Sequence, residues 1–234
     1  MMQGNIIKYV ADMLFPRLCV VCGRALNDGE KHVCLECMDE LPLTGYHLVD
    51  FNPLEQLFAG KVPVEHATGY FFYERGSRHA AILHSIKYHN NPHLGEWLAG
   101  RFAAELEAAG WFGDVEAVVP VPLHRSKLAA RGYNQSEYVA RGLASVAGCR
   151  VERLVKAVKR HETQTHKGQY ERQLNIAGVF RATQWAGDFA GKHILLVDDV
   201  VTTGATLLSC AEALKHAVPD IRISIATLAV ARLQ

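Results

Sequence analysis

Two kinds of apolar run alternate along the chain. Val115–Val121 is a β-branched run and Ile194–Val197 a continuous stretch of β-branched residues and leucine, each ending in a loop, and they suit strands buried on both faces of a parallel sheet. Thr68–Tyr73, short and aromatic, and the terminal run Arg222–Val230 read as further strands. Between them apolar positions recur at helical spacing. Ser77–Tyr88 carries Ala80, Ala81, Ile82, Leu83 and Ile86 in register behind a serine cap, and Leu94–Ala109 places Trp97 and Phe102 on its apolar side. A third helix starts at Tyr138, Val139 and Leu143, and a fourth spans Ala205–Lys215. Ile6, Ile7, Val10, Ala11 and Leu14 form a short amphipathic helix that Pro16 stops, expected to dock on a neighbouring domain. Pro42–Pro63, with Gly45, Pro53 and Gly60, is turn-rich and reads as a connector.

Three polar interruptions carry the candidate chemistry. The strand Ile194–Val197 breaks into Asp198-Asp199, two valines and Thr202-Thr203-Gly204-Ala205-Thr206. The carboxylates sit at the strand's C-terminal end, where open α/β sheets bind ligands, and the following helix start offers free N–H groups to an anion such as a 5′-phosphate. Ionised carboxylates only accept hydrogen bonds, so adjacent ribose hydroxyls match them. A solvated turn followed by a helix cap is the plainer alternative. After Pro120-Val-Pro122 comes a basic loop, His124-Arg125-Ser-Lys127 to Arg131-Gly132-Tyr133-Asn134-Gln135-Ser136. Cations and amides at a helix N-terminus suit a pyrophosphate. Surface charge and a simple cap at Asn134 or Ser136 remain the competing account. The third interruption, Lys159–Phe180, holds Arg160, His161, His166, Lys167 and Arg172 with a glycine hinge at Gly168, and reads either as a lid over a polyanion or as a solvated hairpin.

Composition narrows the setting. The 234 residues are 49% hydrophobic and 21% charged, with net charge +1, so no overall field draws the chain to nucleic acid or membrane. No stretch is apolar enough to span a bilayer and Met1–Val10 does not make a signal peptide, so a cytoplasmic address is expected. Four of six cysteines form Cys19-x-x-Cys22 and Cys34-x-x-Cys37, separated by residues 23–33. That spacing closes a tetrahedral four-thiolate zinc site with no open position, hence structural, although two redox dithiols would share it. His32 is a spare ligand, while Cys149 and Cys210 read as core. His84, His89 and His93 read as surface residues. Neither a Walker A sequence nor a dinucleotide fingerprint follows a strand.

The string Ile194–Thr206 resembles the phosphoribosyl diphosphate (PRPP) motif of type I phosphoribosyltransferases: four apolar residues, two acids, two variable positions, Thr-Thr-Gly, and Thr two residues on. Together with the cysteine pairs, Ile86-Lys87-Tyr88, Pro120-Val-Pro122, Arg131-Gly132-Tyr133-Asn134-Gln135, and Thr163-Gln164 with Arg172 and Asn175, it resembles the ComF family, associated with competence for DNA uptake, over nearly the whole chain. Lys167 departs from the apolar residue of many relatives.

The resemblance implies an α/β fold, a type I phosphoribosyltransferase-like parallel sheet of about five strands flanked by helices with a hood, behind the zinc module. The expected division is 1–45, helix and zinc module; 46–66, connector; 67–234, phosphoribosyltransferase-like domain. It also implies displacement of pyrophosphate from ribose C1 through an oxocarbenium-like transition state, with Mg²⁺ held mainly by the substrate. Asp198, Asp199 and Arg131 are then the catalytic candidates. Val197, Asp198, Asp199, Thr202, Thr203, Gly204, Ala205 and Thr206 would bind PRPP; Arg125, Arg131, Asn134, Gln135 and Lys87 the pyrophosphate. Arg160, Thr163, Gln164, Lys167 and Arg172 would form the flexible loop, and Cys19, Cys22, Cys34 and Cys37 would hold zinc. No acceptor-recognising residue stands out, and amide transfer from glutamine is disfavoured because no cysteine follows Met1. The expectations are a phosphoribosyltransferase, or a PRPP- or nucleotide-binding sensor or adaptor without transfer, or, by family association, a zinc module recruiting single-stranded DNA or uptake machinery. The terminal strand and the N-terminal helix each offer a homodimer surface.

Overall fold

The computed structural model describes residues 16–158 and 179–231. Its strands are β1 (Ala67–Tyr73), β2 (Val115–Pro120), β3 (Arg150–Val151), β4 (Val155–Ala157), β5 (Phe180–Ala182), β6 (His193–Val201) and β7 (Arg222–Ala231). Five of them form a sheet in the order β1-β7-β6-β2-β3, every neighbouring pair parallel, while β4 and β5 make a separate antiparallel ribbon. The apolar runs Ala117–Val119 of β2 and Ile194–Val197 of β6 follow from this placement, since a central parallel strand is covered on both faces.

The helices are α1 (Leu35–Asp39), α2 (Pro53–Phe58), α3 (Ala80–Tyr88), α4 (Pro92–Ala108), α5 (Arg125–Arg131), α6 (Gln135–Ala147) and α7 (Ala205–Ala217). Apolar side chains of α3, α4 and α6 cover one face, and those of α2 and α7 the other. No described helix is long and apolar enough to cross a membrane.

Three local readings of the sequence differ from the structure. Ser77 does not cap α3, which starts at Ala80 behind His79, a residue making no side-chain cap. His79 instead turns its Nε2 to the Cys37 carbonyl at 3.3 Å, and Arg78 pairs with Glu40, so the turn is held by the cysteine module. The basic loop contains a helix, α5: the His124 side chain accepts from Ser126 N–H, Leu-Ala-Ala favours helix, and Gly132 at φ +81° ends it. The connector holds α2, because Asn52 accepts from the N–H groups of Leu54 and Glu55 ahead of a helix-compatible Pro53. Asn52 also donates to the Ala67 carbonyl at 2.9 Å, which fastens the segment to β1.

The cysteine module is part of the main core. Cys19, Val33, Cys34, Cys37 and Leu41 are buried in the same cluster as Tyr70, Phe71 and Phe102, and His32 lies against Trp97 at 5.7 Å between ring centroids. The docking helix expected at Ile6–Leu14 lies outside the described residues.

α4 and α6 meet almost backbone to backbone at Gly142, where an added Cβ would stand 2.2 Å from the Glu96 carbonyl oxygen and 2.7 Å from Ala99 Cβ. Gly142→Ala is therefore expected to cost about 1–3 kcal/mol, as overpacking does. Thermal denaturation should show a midpoint lowered by several degrees. An unchanged midpoint would refute the tight crossing.

Candidate functional site

Chain direction defines the site before any side chain does. From β2 the chain passes through α6 to β3 on one side, and from β6 through α7 to β7 on the other, so the connections diverge between β2 and β6. Such a topological switch opens a crevice outside the carboxyl ends of the two strands. The ends are in register, with Pro120 opposite Val197, and Val121 N–H donates to the Val197 carbonyl at 2.9 Å. Val197 itself is fully buried, so it contributes backbone only.

Asp198 and Asp199 stand at this crevice. Asp198 Oδ1 accepts from Ser136 Oγ–H at 2.7 Å and from Asp199 N–H at 2.9 Å, which leaves Oδ2 open. Asp199 is buried and its Oδ2 lies 3.0 Å from Lys87 Nζ at the end of α3. Burial and, second, the neighbouring Asp199 charge push the Asp198 carboxyl up to about 7, against the opposing pull of Ser136, the Asp199 amide and Lys87. Next to them Thr202 and Thr203 are exposed, and α7 starts at Ala205 behind Gly204, whose φ of +72° and missing side chain leave the helix without a side-chain cap. The first amides of the 13-residue helix α7 therefore have no intrahelical partner and face the crevice end of the strand. Gly204 is obligatory on two grounds: its conformation, and Leu57 of α2, whose Cδ2 would be 2.5 Å from an added Cβ.

A cationic hollow of about 520 Å³ lies on the Lys87 side, lined by Lys87, Tyr88, Asn90, Lys127, Ala130, Arg131 and Tyr133. Arg131 stacks over the Tyr88 ring at 5.3 Å and donates to Gln135 Oε1 at 2.9 Å. Gln135 Nε2 is buried without a hydrogen-bond partner. Tyr133 O–H donates to the Ile86 carbonyl at 2.6 Å and ties this loop to α3.

Of the residues singled out in the sequence, Lys87 thus meets Asp199, and Arg131, which lines the same hollow as Lys87, bonds Gln135. Arg125 is exposed on α5 and does not line the hollow. Asn134 is buried and positions the loop, donating to the Val121 carbonyl at 2.9 Å and accepting from Ser136 N–H. Arg160, Thr163, Gln164, Lys167 and Arg172 lie outside the described residues. Sequence reasoning missed Ser136, Tyr88 and Tyr133 as site members. Only the position of Ser136 just inside a helix start signalled it.

The four cysteines form a second centre. Their Sγ atoms all lie within 4.8 Å of one another, with Cys22 exposed and the other three buried. Gly23 N–H donates to the Cys19 carbonyl, and Cys34 N–H and Cys37 N–H point at the sulfurs of Cys19 and Cys34 at 3.4 and 3.5 Å. Four converging thiols cradled by amides fit a structural zinc ion. His32 packs at a tilt against Trp97 and lies outside the sulfur cluster. At the opposite end of the sheet Asp114, His193 and Ser224 line up at 2.6 and 2.9 Å, in the manner of a hydrolytic triad. Ser224 is 1% exposed, so no substrate reaches it, and the line instead ties strand β7 to β6 and to Asp114 ahead of β2.

Comparison with known proteins agrees with both centres. Residues 134–233 match the phosphoribosyl transferase domain and residues 10–47 the double zinc ribbon domain. Competence protein F of Haemophilus influenzae is 33% identical over 110 residues, 46% of this chain and 48% of that protein, so the chain spans about half its length. DNA utilization protein YhgH of Escherichia coli O6:H1 is 26% identical over 201 residues, covering 84% of this chain and 83% of the relative. Among solved structures, an adenine phosphoribosyltransferase shares 20% identity over 60% of this chain and 73% of its own, with a TM-score of 0.38. That of Leishmania tarentolae shares 12% over 81% and 94%, also at 0.38.

Two outcomes follow for these centres. The raised Asp198 carboxyl favours its protonated form in the fold, so its contribution is fully present below the unfolded value near 3.8 and is lost as pH rises through about 7. Asp198→Asn should therefore match the parent near pH 4 and exceed it by about 1–2 kcal/mol, or several degrees, above pH 7. A variant less stable at pH 8 would contradict the strain assigned to the pair. Removing zinc with a chelator should lower the melting temperature of the whole chain, since the cysteines share its core; loss of only a small early transition would show the module to be separate.

Proposed function

We propose that this chain, a ComF-family protein with a phosphoribosyl transferase domain behind a double zinc ribbon, binds PRPP with Mg²⁺ at the switch point and transfers the phosphoribosyl group to a nitrogen nucleophile. The observation that carries the reading is the Asp198–Asp199 pair, set between an uncapped helix start and a cationic hollow. Each part matches one part of the substrate. The N–H groups at Thr203–Thr206, with the Thr202, Thr203 and Thr206 hydroxyls, receive the 5′-phosphate, where a helix terminus favours an anion. Asp198 Oδ2 and Asp199 accept from the ribose hydroxyls. Lys87, Arg131 and the free Gln135 amide donate to the pyrophosphate.

In the transfer, the C1–O bond breaks with its electron pair leaving on pyrophosphate, the nitrogen lone pair forms the new C1–N bond, and the nitrogen's proton passes to solvent. Asp198 and Asp199 stabilise the positive charge that develops on the sugar, and the cations stabilise the leaving group. Asp198 and Asp199 would lie beside a substrate-held Mg²⁺, which would supply further neutralisation of the leaving group. Lys87 would exchange its hold on Asp199 for the pyrophosphate as the ligand enters. The names of the relatives support a role for this binding in DNA uptake or utilisation.

Calorimetric titration with PRPP and Mg²⁺ should give saturable binding that Asp198→Asn/Asp199→Asn weakens by at least about tenfold, the equivalent of 1.4 kcal/mol. Pyrophosphate release against a panel of bases and amines then identifies the acceptor. Binding with no release for any acceptor would establish a sensor or adaptor in place of an enzyme, and no binding of PRPP at all would overturn the site.

A further inference from the structure

A second cavity, of about 660 Å³, opens on the other side of the β2 loop, and neither carboxylate nor any residue of 202–206 lines it. One wall is Trp185, which is 59% exposed although its 3₁₀ turn, Gln184–Phe189, is anchored by the buried Ala186 and Phe189. The turn is fixed further by Thr183, whose N–H donates to the Leu154 carbonyl at 2.8 Å and whose hydroxyl donates to the Arg153 carbonyl at 3.1 Å. A large indole presented to solvent from a rigid support is a surface prepared for a planar partner. The facing wall holds Tyr133 and Tyr138, edge to face at 5.9 Å, with the Arg141 guanidinium 4.7 Å above the Tyr138 ring. Arg153 is neutralised by Glu137 at 2.7 Å. Arg141 and Lys156, by contrast, are exposed and have no ion-pair partner among the described residues.

Aromatic walls call for a flat ring, and two unneutralised cations at the rim call for an anionic group attached to it. The volume suits one small ligand. We propose that this cavity is a second binding site, for a 5′-mononucleotide whose base stacks between Trp185 and the tyrosines while its phosphate meets Arg141 and Lys156. The cavity shares Tyr133 with the cationic hollow but includes neither Asp198 nor Asp199, and the assignment does not depend on the reading given to the transfer crevice.

Titration of the full, zinc-loaded chain with AMP, GMP, CMP and UMP, in the absence of PRPP, tests the assignment, with adenosine and ribose 5-phosphate as controls. At least one mononucleotide should bind saturably, and both controls more weakly. Trp185→Ala and Arg141→Gln, both at exposed positions, should each weaken it by about tenfold, in the range of a lost stacking or phosphate contact. Asp198→Asn/Asp199→Asn should leave it unchanged. Absence of binding by all four nucleotides would overturn the proposal. So would loss of binding in the aspartate variant with Trp185→Ala unaffected, which would move the nucleotide to the transfer crevice, or a tetranucleotide binding more than about tenfold tighter than any mononucleotide, which would make the cavity part of a strand-binding groove.

Discussion

Two carboxylates side by side at the end of a buried strand repel each other, and most of what surrounds them serves to hold that repulsion in place. Asp198 is raised to about 7 by burial and by Asp199. Ser136 at the start of α6 and Lys87 at the end of α3 each restrain one of the pair. Both helices lie on the same face of the sheet and are packed against α4, so the position of the acids depends on that three-helix layer. The crevice is thus preorganised: acceptors are kept close together where water alone would disperse their charge, and on the function proposed a ligand bearing hydroxyls would relieve the strain.

The cysteine module belongs to the same mechanical unit. Its buried sulfurs join the core beneath α3 and α4, and His79, just ahead of α3, rests on the Cys37 carbonyl. Order at the cysteines is therefore transmitted to the helix that carries Lys87. A structural metal so placed supports the site from a distance and takes no part in its chemistry.

How far the sequence discloses this depends on how local each feature is. Ile194–Thr206 could be read as strand, acids and helix start because all its determinants are contiguous, and the five-strand parallel sheet and the four-cysteine cluster agree with the expectation. Contacts made by tertiary packing could not be read. Lys87 looks like any helix-end lysine until α3 is laid beside β6, and Leu57 reaches Gly204 only because Asn52 fastens α2 to β1. The helix α5 escaped notice because its cap is a histidine, and the Ser77 cap was overridden by the docking of His79. Trp185 gave no periodic signal, since a 3₁₀ turn presents it alone.

The central claim is that ligand binding forces the strained carboxyl pair into its fully ionised form. Calorimetry of PRPP–Mg²⁺ binding at pH 7 in two buffers of different ionisation enthalpy measures this directly. With Asp198 titrating at about 7, binding should release about half a proton, and Asp198→Asn should abolish the release. Proton uptake on binding, or a release that persists in the variant, would contradict the account.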